Sequence, residues 1–589
     1  MTKNEFNLLY TIKKYGLQSH RKLNEIIGLS VGYLSQTLRE FTKKGWISDA
    51  GITKEGIGVL KPYKVDNAII MAAGMSTRFV PLSLEKPKGL LVVKNEVLIE
   101  RQIKQLQQAG IKNIVIVLGY KKEAFFYLEN KFSNLKFIIN SEYSSKNNTN
   151  TLYLAQKYLK NSYICSSDNY FASNPFEEFV YQSYYAAVHV TEKTNEWYMK
   201  PDIKGNIAKV VKSGTQGDIM LGHVYWNKAF SKAMIKLLND NHESGNYDSE
   251  LWEQLLSDNL KILPPMEIKV YPSGTIFEFD SIDELRSFDS NYVNHTQSKI
   301  IHNISKVLNC SESEILNFKT INKGLTNTSF VFEYKKTKYV YRHPGNTPES
   351  NFRRKHEKKA LELAKTINID PTYIYMDDIE GYKISYYVEK YKTPSYDNDD
   401  DSKKVLSVLK QIHQLKLRDS YVFNPWDEAC KLEAILRSTG AGIADQEFDQ
   451  LKTDVEKCYR NCNGDGVEIC FCHCDTYAQN WILTADDKTM LIDWEYASNA
   501  DPGNDIGCYI MDSMWDISKS IDFIKEYCGN EYNDKLKYHF LSYVAIVSYY
   551  WYLWALHNEA GGTIMGTSLY NWSVMAKRYS KYCVKNLGL

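Results

Sequence analysis

From Asn67 the chain runs AIIMAAG, and at 111–120 it runs IKNIVIVLGY: two apolar stretches that each end in a glycine turn, with helix-type sequence over 99–109 between them. A strand that is apolar at every position, rather than at every second one, is covered on both faces. Strand, helix and strand in that order require a crossover on the face of a parallel sheet. Residues 66–290 are therefore expected to form a doubly wound, Rossmann-like α/β unit, ending after a helix that starts near Ile282. The polar segment around 289–300 reads as a linker.

With 589 residues the chain exceeds a single core and should divide into roughly three to four domains. Before the sheet, residues 5–15, 20–27 and 31–43 carry helical apolar spacing, and Trp46-Ile47, Gly51-Ile52 and Gly56-Ile57 read as a glycine-turned hairpin. Together they predict a winged helix-turn-helix over residues 1–62, in which GYLSQTLREFTKKGWI resembles a recognition helix and wing entry. Ten Lys or Arg against five Asp or Glu in this segment favour weak DNA binding, with packing or ligand sensing as the alternative. After residue 300, strands at 328–334 and 338–342, a charged helix at 351–365 and largely helical sequence beyond 400 predict a two-lobed domain over 300–589. The fold class is thus multidomain, α/β and α+β.

A net charge of +1 excludes a chain that binds nucleic acid or membrane along its whole length. No apolar run of about twenty residues is present and the start lacks the order of a secretory signal, so no membrane span and a cytoplasmic location are expected. Eleven irregularly spaced cysteines fit reduced thiols better than a disulfide framework.

After the first strand come Ala72-Ala73-Gly74-Met75-Ser76-Thr77-Arg78-Phe79, then Pro81 and Lys86-Pro87-Lys88. A glycine turn after a buried strand lets backbone N–H groups approach a triphosphate, and Arg78 and Lys88 supply positive charge as pyrophosphate leaves. At these residues the chain resembles the nucleotidyltransferases that make NDP-sugars and, more closely, bacterial choline-phosphate cytidylyltransferases. The likeness extends through Asn140-Ser141-Glu142-Tyr143, Asn150-Thr151-Leu152-Tyr153 and Tyr163-Ile164-Cys165-Ser166-Ser167-Asp168 to Phe277-Glu278-Phe279-Asp280. It implies nucleotide contacts from Ala72, Ala73, Gly74 and Thr77, catalysis by Lys88 and Arg78, and one Mg²⁺ held by Asp168 and Asp280. It further implies a phosphocholine site drawn from Trp197, Tyr247, Asp248 and Glu278. The chain departs from the family at Ser76, where a second glycine is common.

His473-Cys474-Asp475 followed by Asn480, then Leu491-Ile492-Asp493-Trp494-Glu495, has the spacing of kinase-type phosphoryl transfer: a base for a hydroxyl proton, an asparagine five residues on and a metal-binding aspartate on the next strand. Asp475 is the expected base, and Asn480 and Asp493 the Mg²⁺ donors. Upstream, Gly324, Thr326 and Asn327 lie between apolar strands where they could cover ATP phosphates, with Arg342 and Glu357 as the phosphate-pairing ion pair. Residues 300–589 resemble the choline kinase and aminoglycoside phosphotransferase group, in which Asp493–Ala497, Asp505-Ile506-Gly507 and the aromatic helix Tyr550–Trp554 match the choline kinase version. That resemblance implies choline held by Glu495, Trp551 and Trp554. The two tryptophans stand at i, i+3, and a trimethylammonium, which donates no N–H hydrogen bond, calls for aromatic faces and a carboxylate. Cys470, Cys472 and Cys474 are expected on one strand face with His473 on the other, which opposes a shared metal ion, and His413 reads as a packed helical histidine.

Taken together, the two motif sets imply a kinase that makes phosphocholine from choline and ATP, followed by a transferase that joins phosphocholine to CTP. Ethanolamine or a sugar as acceptor, or a regulator that uses both domains as sensors, are the alternative readings.

Overall fold

The computed structural model describes all of the chain except residues 322–326, 346–349, 390, 418–420, 440–441 and 589. It divides into two compact units, Met1–Thr320 and Ile321–Leu589.

The first unit begins with α1 (Lys3–Tyr15), α2 (His20–Ile27) and α3 (Val31–Lys43). Each starts on a hydroxyl cap, Thr2, Ser19 or Ser30, whose oxygen accepts a first-turn N–H. Phe6, Leu9, Ile12, Leu23, Leu34 and Phe41 close a small core between them. The hairpin that follows is limited to β1 (Ile47–Ser48) and β2 (Gly51–Ile52). Gly56 and Ile57, expected in it, belong instead to a helix, α4 (Lys54–Leu60), capped by Thr53. A Cβ on Gly56 would lie 2.2 Å from the Trp46 carbonyl oxygen, so glycine serves close packing here rather than a turn. This segment does not stand apart as a domain. Phe179 from the following region completes its core, Tyr10 donates to Glu177, and Lys13 and Lys14 pair with Glu178 and Glu177 at 2.7 and 3.0 Å.

The central sheet starts with β3 (Asn67–Ala72), which lies between β4 (Ile114–Leu118) and β6 (Ser162–Ser166) and parallel to both, with β5 (Leu135–Ile139) beyond β4. Helix α5 (Leu98–Gln108) makes the crossover between β3 and β4. Ala68 and Ile70 of β3 face one core and Ile69 the other, which is why the strand is apolar at successive positions. On the other side of β6 the sheet turns antiparallel through β10 (Gly217–Trp226), β8 (Thr194–Pro201) and β9 (Ile207–Gly214), while β7 (Tyr184–Val190) pairs with β10 and β11 (Glu267–Tyr271).

The 289–300 stretch, read as a linker, is folded into the same unit. Helices α6 (Ile282–Phe288), α7 (Asn291–Asn294) and α8 (Lys299–Leu308) follow one another. The buried Arg286 guanidinium joins them, donating to the carbonyls of Tyr292, Glu312 and Ile315 at 3.4, 2.7 and 2.7 Å. The segment's polar side chains mislead because many make internal bonds rather than meeting solvent.

In the second unit β12 (Thr328–Tyr334), β13 (Thr337–His343), β15 (Lys383–Tyr386) and β14 (Tyr373–Met376) form an antiparallel sheet in that spatial order, with α9 (Ser350–Thr366) after β13. The helical part is built on α11 (Asp534–Ala560), buried from His539 to Leu553 between α10 (Gly503–Ser513) and α12 (Thr567–Leu587). A helix apolar around its circumference has to be central. No described helix is long and apolar enough to cross a membrane.

Candidate active sites

In the first unit the loop Ala73–Phe79 leaves the carboxyl end of β3 beside the end of β6, the edge at which open parallel sheets bind ligands. Ala72, Ala73, Gly74 and Thr77 line the cleft there, together with Lys88 and Asp168. Ser76 sits at φ 49°, the left-handed conformation that glycine usually supplies. The glycine geometry is therefore kept by a serine, at a strain on the order of 1–2 kcal/mol.

Lys88 is buried, on a short turn that presses against the end of β6. A Cβ on Gly89 would lie 2.8 Å from Ser167 Oγ, so only glycine allows the approach. It sets Lys88 Nζ 2.9 Å from Asp168, 3.8 Å from Glu278 and 3.9 Å from Asp280, with Arg78 3.5 Å from Asp280. Burial alone would raise the Asp168 pKa, but the Lys88 ammonium holds it below the usual carboxylate range. Burial would likewise lower Lys88, yet Asp168 and then Glu278 raise it, so both partners stay charged. Burial and the neighbouring Asp168 push Glu278 up to about 7. Three carboxylates thus face one buried ammonium. Asp168 and Asp280, hard oxygen donors flanking the same point, fit Mg²⁺.

The expected acceptor residues are only partly gathered. Glu278 is in the cleft. Trp197 points away, its ring facing Lys212 Nζ at 4.6 Å, because successive residues of β8 face opposite sides. Its neighbour Glu196 faces the site instead, and burial followed by Asp280 raises its pKa. Tyr247 donates to Asp258 at 2.9 Å and does not reach the cleft. Asp248 stands at the rim, paired with Lys146 at 3.4 Å, and Lys146 also pairs with Glu142 at 3.0 Å.

In the second unit β16 (Cys470–Cys472) leads into the loop that carries Asp475. The N–H groups of His473 and Cys474 donate to Asp505 of α10 at 2.9 and 2.6 Å. Cys474 adopts φ 63°, so it leaves the strand and does not share a face with Cys470 and Cys472 as expected. Asn480 donates its amide to the Asp475 backbone and side chain at 2.8 and 3.0 Å, leaving its carbonyl oxygen as the donor for a cation. Asp475 Oδ1 is buried and has no hydrogen-bond partner among the described residues, so it is an acceptor open to a hydroxyl donor. Burial, then Asp493 and Glu495, push the Asp475 pKa well up.

Arg342 on β13 grips Glu357 of α9 with both amino groups, each at 2.7 Å, and reaches Asp493 at 3.2 Å. Lys383 on β15 joins them, 3.5 Å from Glu357 and 3.9 Å from Asp493. Sequence reasoning missed Lys383, which stands in an ordinary strand with no motif around it. Gly324 and Thr326 lie outside the described residues. Asn327 donates to Glu495 Oε2 at 3.1 Å. Glu495 lines the same cavity as Trp551 and Trp554, and burial and Asp493 bring its pKa up to about 7. Asp493 and Asn480 supply the oxygen donors that suit Mg²⁺ here.

Trp551 and Trp554 of α11 do face one cavity, with ring centroids 5.3 Å apart. Trp572 of α12 closes it at 5.8 Å from Trp551, and Tyr477 and Tyr496 stand 5.6 and 5.3 Å from the same ring. Asp512, which accepts from the Ala478 N–H at 3.1 Å and from Tyr396, lines the same cavity as a carboxylate. Trp572 and Asp512 were not legible, since they come from separate helices without local spacing. Among the described residues, His413, Cys470 and Cys472 bring possible metal ligands within 4.8 Å of one another. His413 is already engaged at both nitrogens, 3.0 Å from Asp505 and 2.7 Å from Tyr527, so it packs and supports the carboxylate that holds the Asp475 loop.

Residues 67–196 match the nucleotidyl transferase family model and residues 318–564 the choline/ethanolamine kinase model. The choline-phosphate cytidylyltransferase of Streptococcus pneumoniae is 32% identical over 222 residues, 38% of this chain and 96% of that protein. The 2-aminoethylphosphonate cytidylyltransferase of Lancefieldella rimae is 31% identical over 232 residues, 38% of this chain and 93% of that protein. The crystal structure of the choline kinase LicA from Streptococcus pneumoniae, 23% identical, aligns with 49% of this chain and 99% of its own at a TM-score of 0.41. A strand-end loop with a buried lysine among carboxylates and a loop carrying Asp475, Asn480 and Asp493 occur in one polypeptide, and the chain belongs to the cytidylyltransferase family of the pneumococcal choline-phosphate enzyme, with a choline/ethanolamine kinase domain joined to it.

Proposed function

We propose that the protein converts choline to CDP-choline in two consecutive steps. The observation that carries the choice of substrate is the cavity beside Asp475, walled by Trp551, Trp554, Trp572, Tyr477 and Tyr496 and bearing Asp512. Ring faces and a carboxylate suit a quaternary ammonium, which donates no N–H hydrogen bond.

In the first step Asp475 accepts the choline hydroxyl proton, the oxygen attacks the ATP γ-phosphorus, and ADP leaves. Arg342, fixed by Glu357, and Lys383 bring positive charge to the phosphates. In the second step a phosphate oxygen of phosphocholine attacks the CTP α-phosphorus and pyrophosphate leaves, with Lys88 and Arg78 neutralising the charge that develops. Mg²⁺, held by Asp493 and Asn480 in one site and by Asp168 and Asp280 in the other, would supply Lewis-acid charge to the reacting phosphates. Glu278 and Glu196 are positioned to meet the acceptor's cationic end. The use of ATP and CTP fits a cytoplasmic location.

Product analysis with choline, ATP, CTP and Mg²⁺ tests this reading, with ethanolamine and 2-aminoethylphosphonate run in parallel. Phosphocholine followed by CDP-choline is expected. Turnover of ethanolamine equal to or above that of choline would overturn the substrate assignment.

For the N-terminal winged-helix segment we propose a docking role first. Lys13, Lys14 and Lys3, part of its basic excess, pair with Glu178, Glu177 and Glu267 of the same unit. DNA contact is then left to the outer face of α3, where Arg39 and Lys43 are exposed. Salt-dependent duplex binding by the intact protein that is lost on replacing both with Ala would support it, and absence of binding at low salt would leave docking alone.

A further inference from the structure

The loop that carries Lys88 is tied on both sides to α7 and α8, the segment that sequence alone marks as a linker. Three residues before Lys88, the Glu85 carboxylate accepts the Ile300 N–H at 3.1 Å, in the first turn of α8. An acidic group at a helix N-terminus meets both an unpaired donor and the positive end of the helix dipole. After Lys88, the Val92 carbonyl accepts from Tyr292 Oη at 2.9 Å and the Lys94 N–H donates to Asp289 at 2.6 Å. Phe288, at the end of α6, packs on Phe277 and Phe279 with ring centroids 4.4 and 5.2 Å away, and those residues flank Glu278. The chain from Phe288 to Ile300 therefore touches both the lysine loop, through Asp289, Tyr292 and Ile300, and the carboxylate strand, through Phe288.

The two cytidylyltransferase relatives match 222 and 232 residues, fewer than three quarters of the 320 in this unit. The unit therefore carries structure beyond what it shares with them. The Lys88 site depends on a spacing of a few ångströms between one ammonium and three carboxylates, and these tethers add to that of Lys121, which donates to the Leu84 and Glu85 carbonyls at 2.6 and 2.9 Å. We propose that residues 289–301 position Lys88 for cytidylyl transfer, with Glu85 and Tyr292 as the positioning residues. The proposal rests on the transferase reading above.

The test uses the full-length protein, CTP and phosphocholine, with Glu85→Ala, Glu85→Gln and Tyr292→Phe beside the wild type. Glu85→Ala should lower the transferase kcat roughly five- to tenfold, the scale of one lost hydrogen bond at a preorganised site, with KM for CTP within about twofold. Glu85→Gln, which keeps an acceptor oxygen, should restore most of the loss, and Tyr292→Phe, which keeps the ring, should reproduce the drop. Kinase activity in the same preparations should not change. A transferase kcat within about twofold of wild type in both Glu85→Ala and Tyr292→Phe overturns the proposal, as does a parallel loss of kinase activity and melting temperature. Failure of the wild type to form CDP-choline would instead remove the functional reading itself.

Discussion

Lys88→Ala separates the two chemistries and exposes what the buried ammonium does. Its Nζ lies 2.9 to 3.9 Å from oxygens of Asp168, Glu278 and Asp280. Two effects follow from removing it. The reacting phosphates lose a preorganised charge, an effect on the order of 3–4 kcal/mol and therefore about two to three powers of ten in kcat. The three carboxylates also lose their counter-ion, so Asp168, now held ionised by Lys88, should take up a proton at higher pH. That protonation limits the loss of stability well below the cost of an unpaired buried charge. The assay follows choline, ATP, CTP and Mg²⁺ by product separation. Phosphocholine should accumulate without conversion to CDP-choline, and the kinase rate should match wild type. A folded Lys88→Ala protein that still converts phosphocholine within about tenfold of the wild-type rate would refute the electrostatic role. Loss of both reactions would refute separate sites.

Asp475→Asn should do the reverse, abolishing choline phosphorylation while supplied phosphocholine and CTP still yield CDP-choline, since an amide cannot accept the hydroxyl proton. Trp572→Leu, which opens the aromatic cavity opposite Trp551 and Trp554, should raise the choline KM by roughly five- to thirtyfold, the scale of one desolvated cation–π contact, with KM for ATP unchanged. Unchanged choline kinetics in a folded variant would remove the ring from the site. His539 sits buried between Asp465 and Asp501 at 2.7 and 2.9 Å. Burial would lower its pKa, but the hydrogen bond to Asp501 and its charge bring it up to about 11. A folded pKa above the unfolded value of about 6.5 means that the stabilisation is complete below that pH and is lost as pH rises toward 11. The melting temperature of the wild type should accordingly fall between pH 7 and 10 more than that of His539→Gln, and equal slopes would show that the imidazolium contributes nothing.

Much of this protein was legible because its chemistry sits in contiguous segments. The strand-turn loop with Lys88, the Asp475 loop with Asn480 and Asp493, and the Trp551, Trp554 pair keep the candidate site residues within one turn, one strand end or one helix face. Backbone geometry then brings them together wherever the segment folds. The parallel sheet was legible for the same reason, since a strand covered on both faces must be apolar at successive positions. Ser76 shows the limit of residue identity: the loop keeps its left-handed turn with a serine because the surrounding structure imposes the conformation. Lys383, Glu196, Asp512 and Trp572 carry no local signal. Each stands on an ordinary strand or helix, and only the packing of that element against another turns it into the site. Trp197 and Tyr247 fail for the converse reason, because motif likeness names a neighbourhood while strand alternation and a nearer partner decide where the side chain goes. The α7 and α8 segment and the docked N-terminal helices were decided by tertiary structure alone. Polar sequence says that hydrogen bonds and charges will be made, but only the folded chain says whether their partners are water or the loop that holds Lys88.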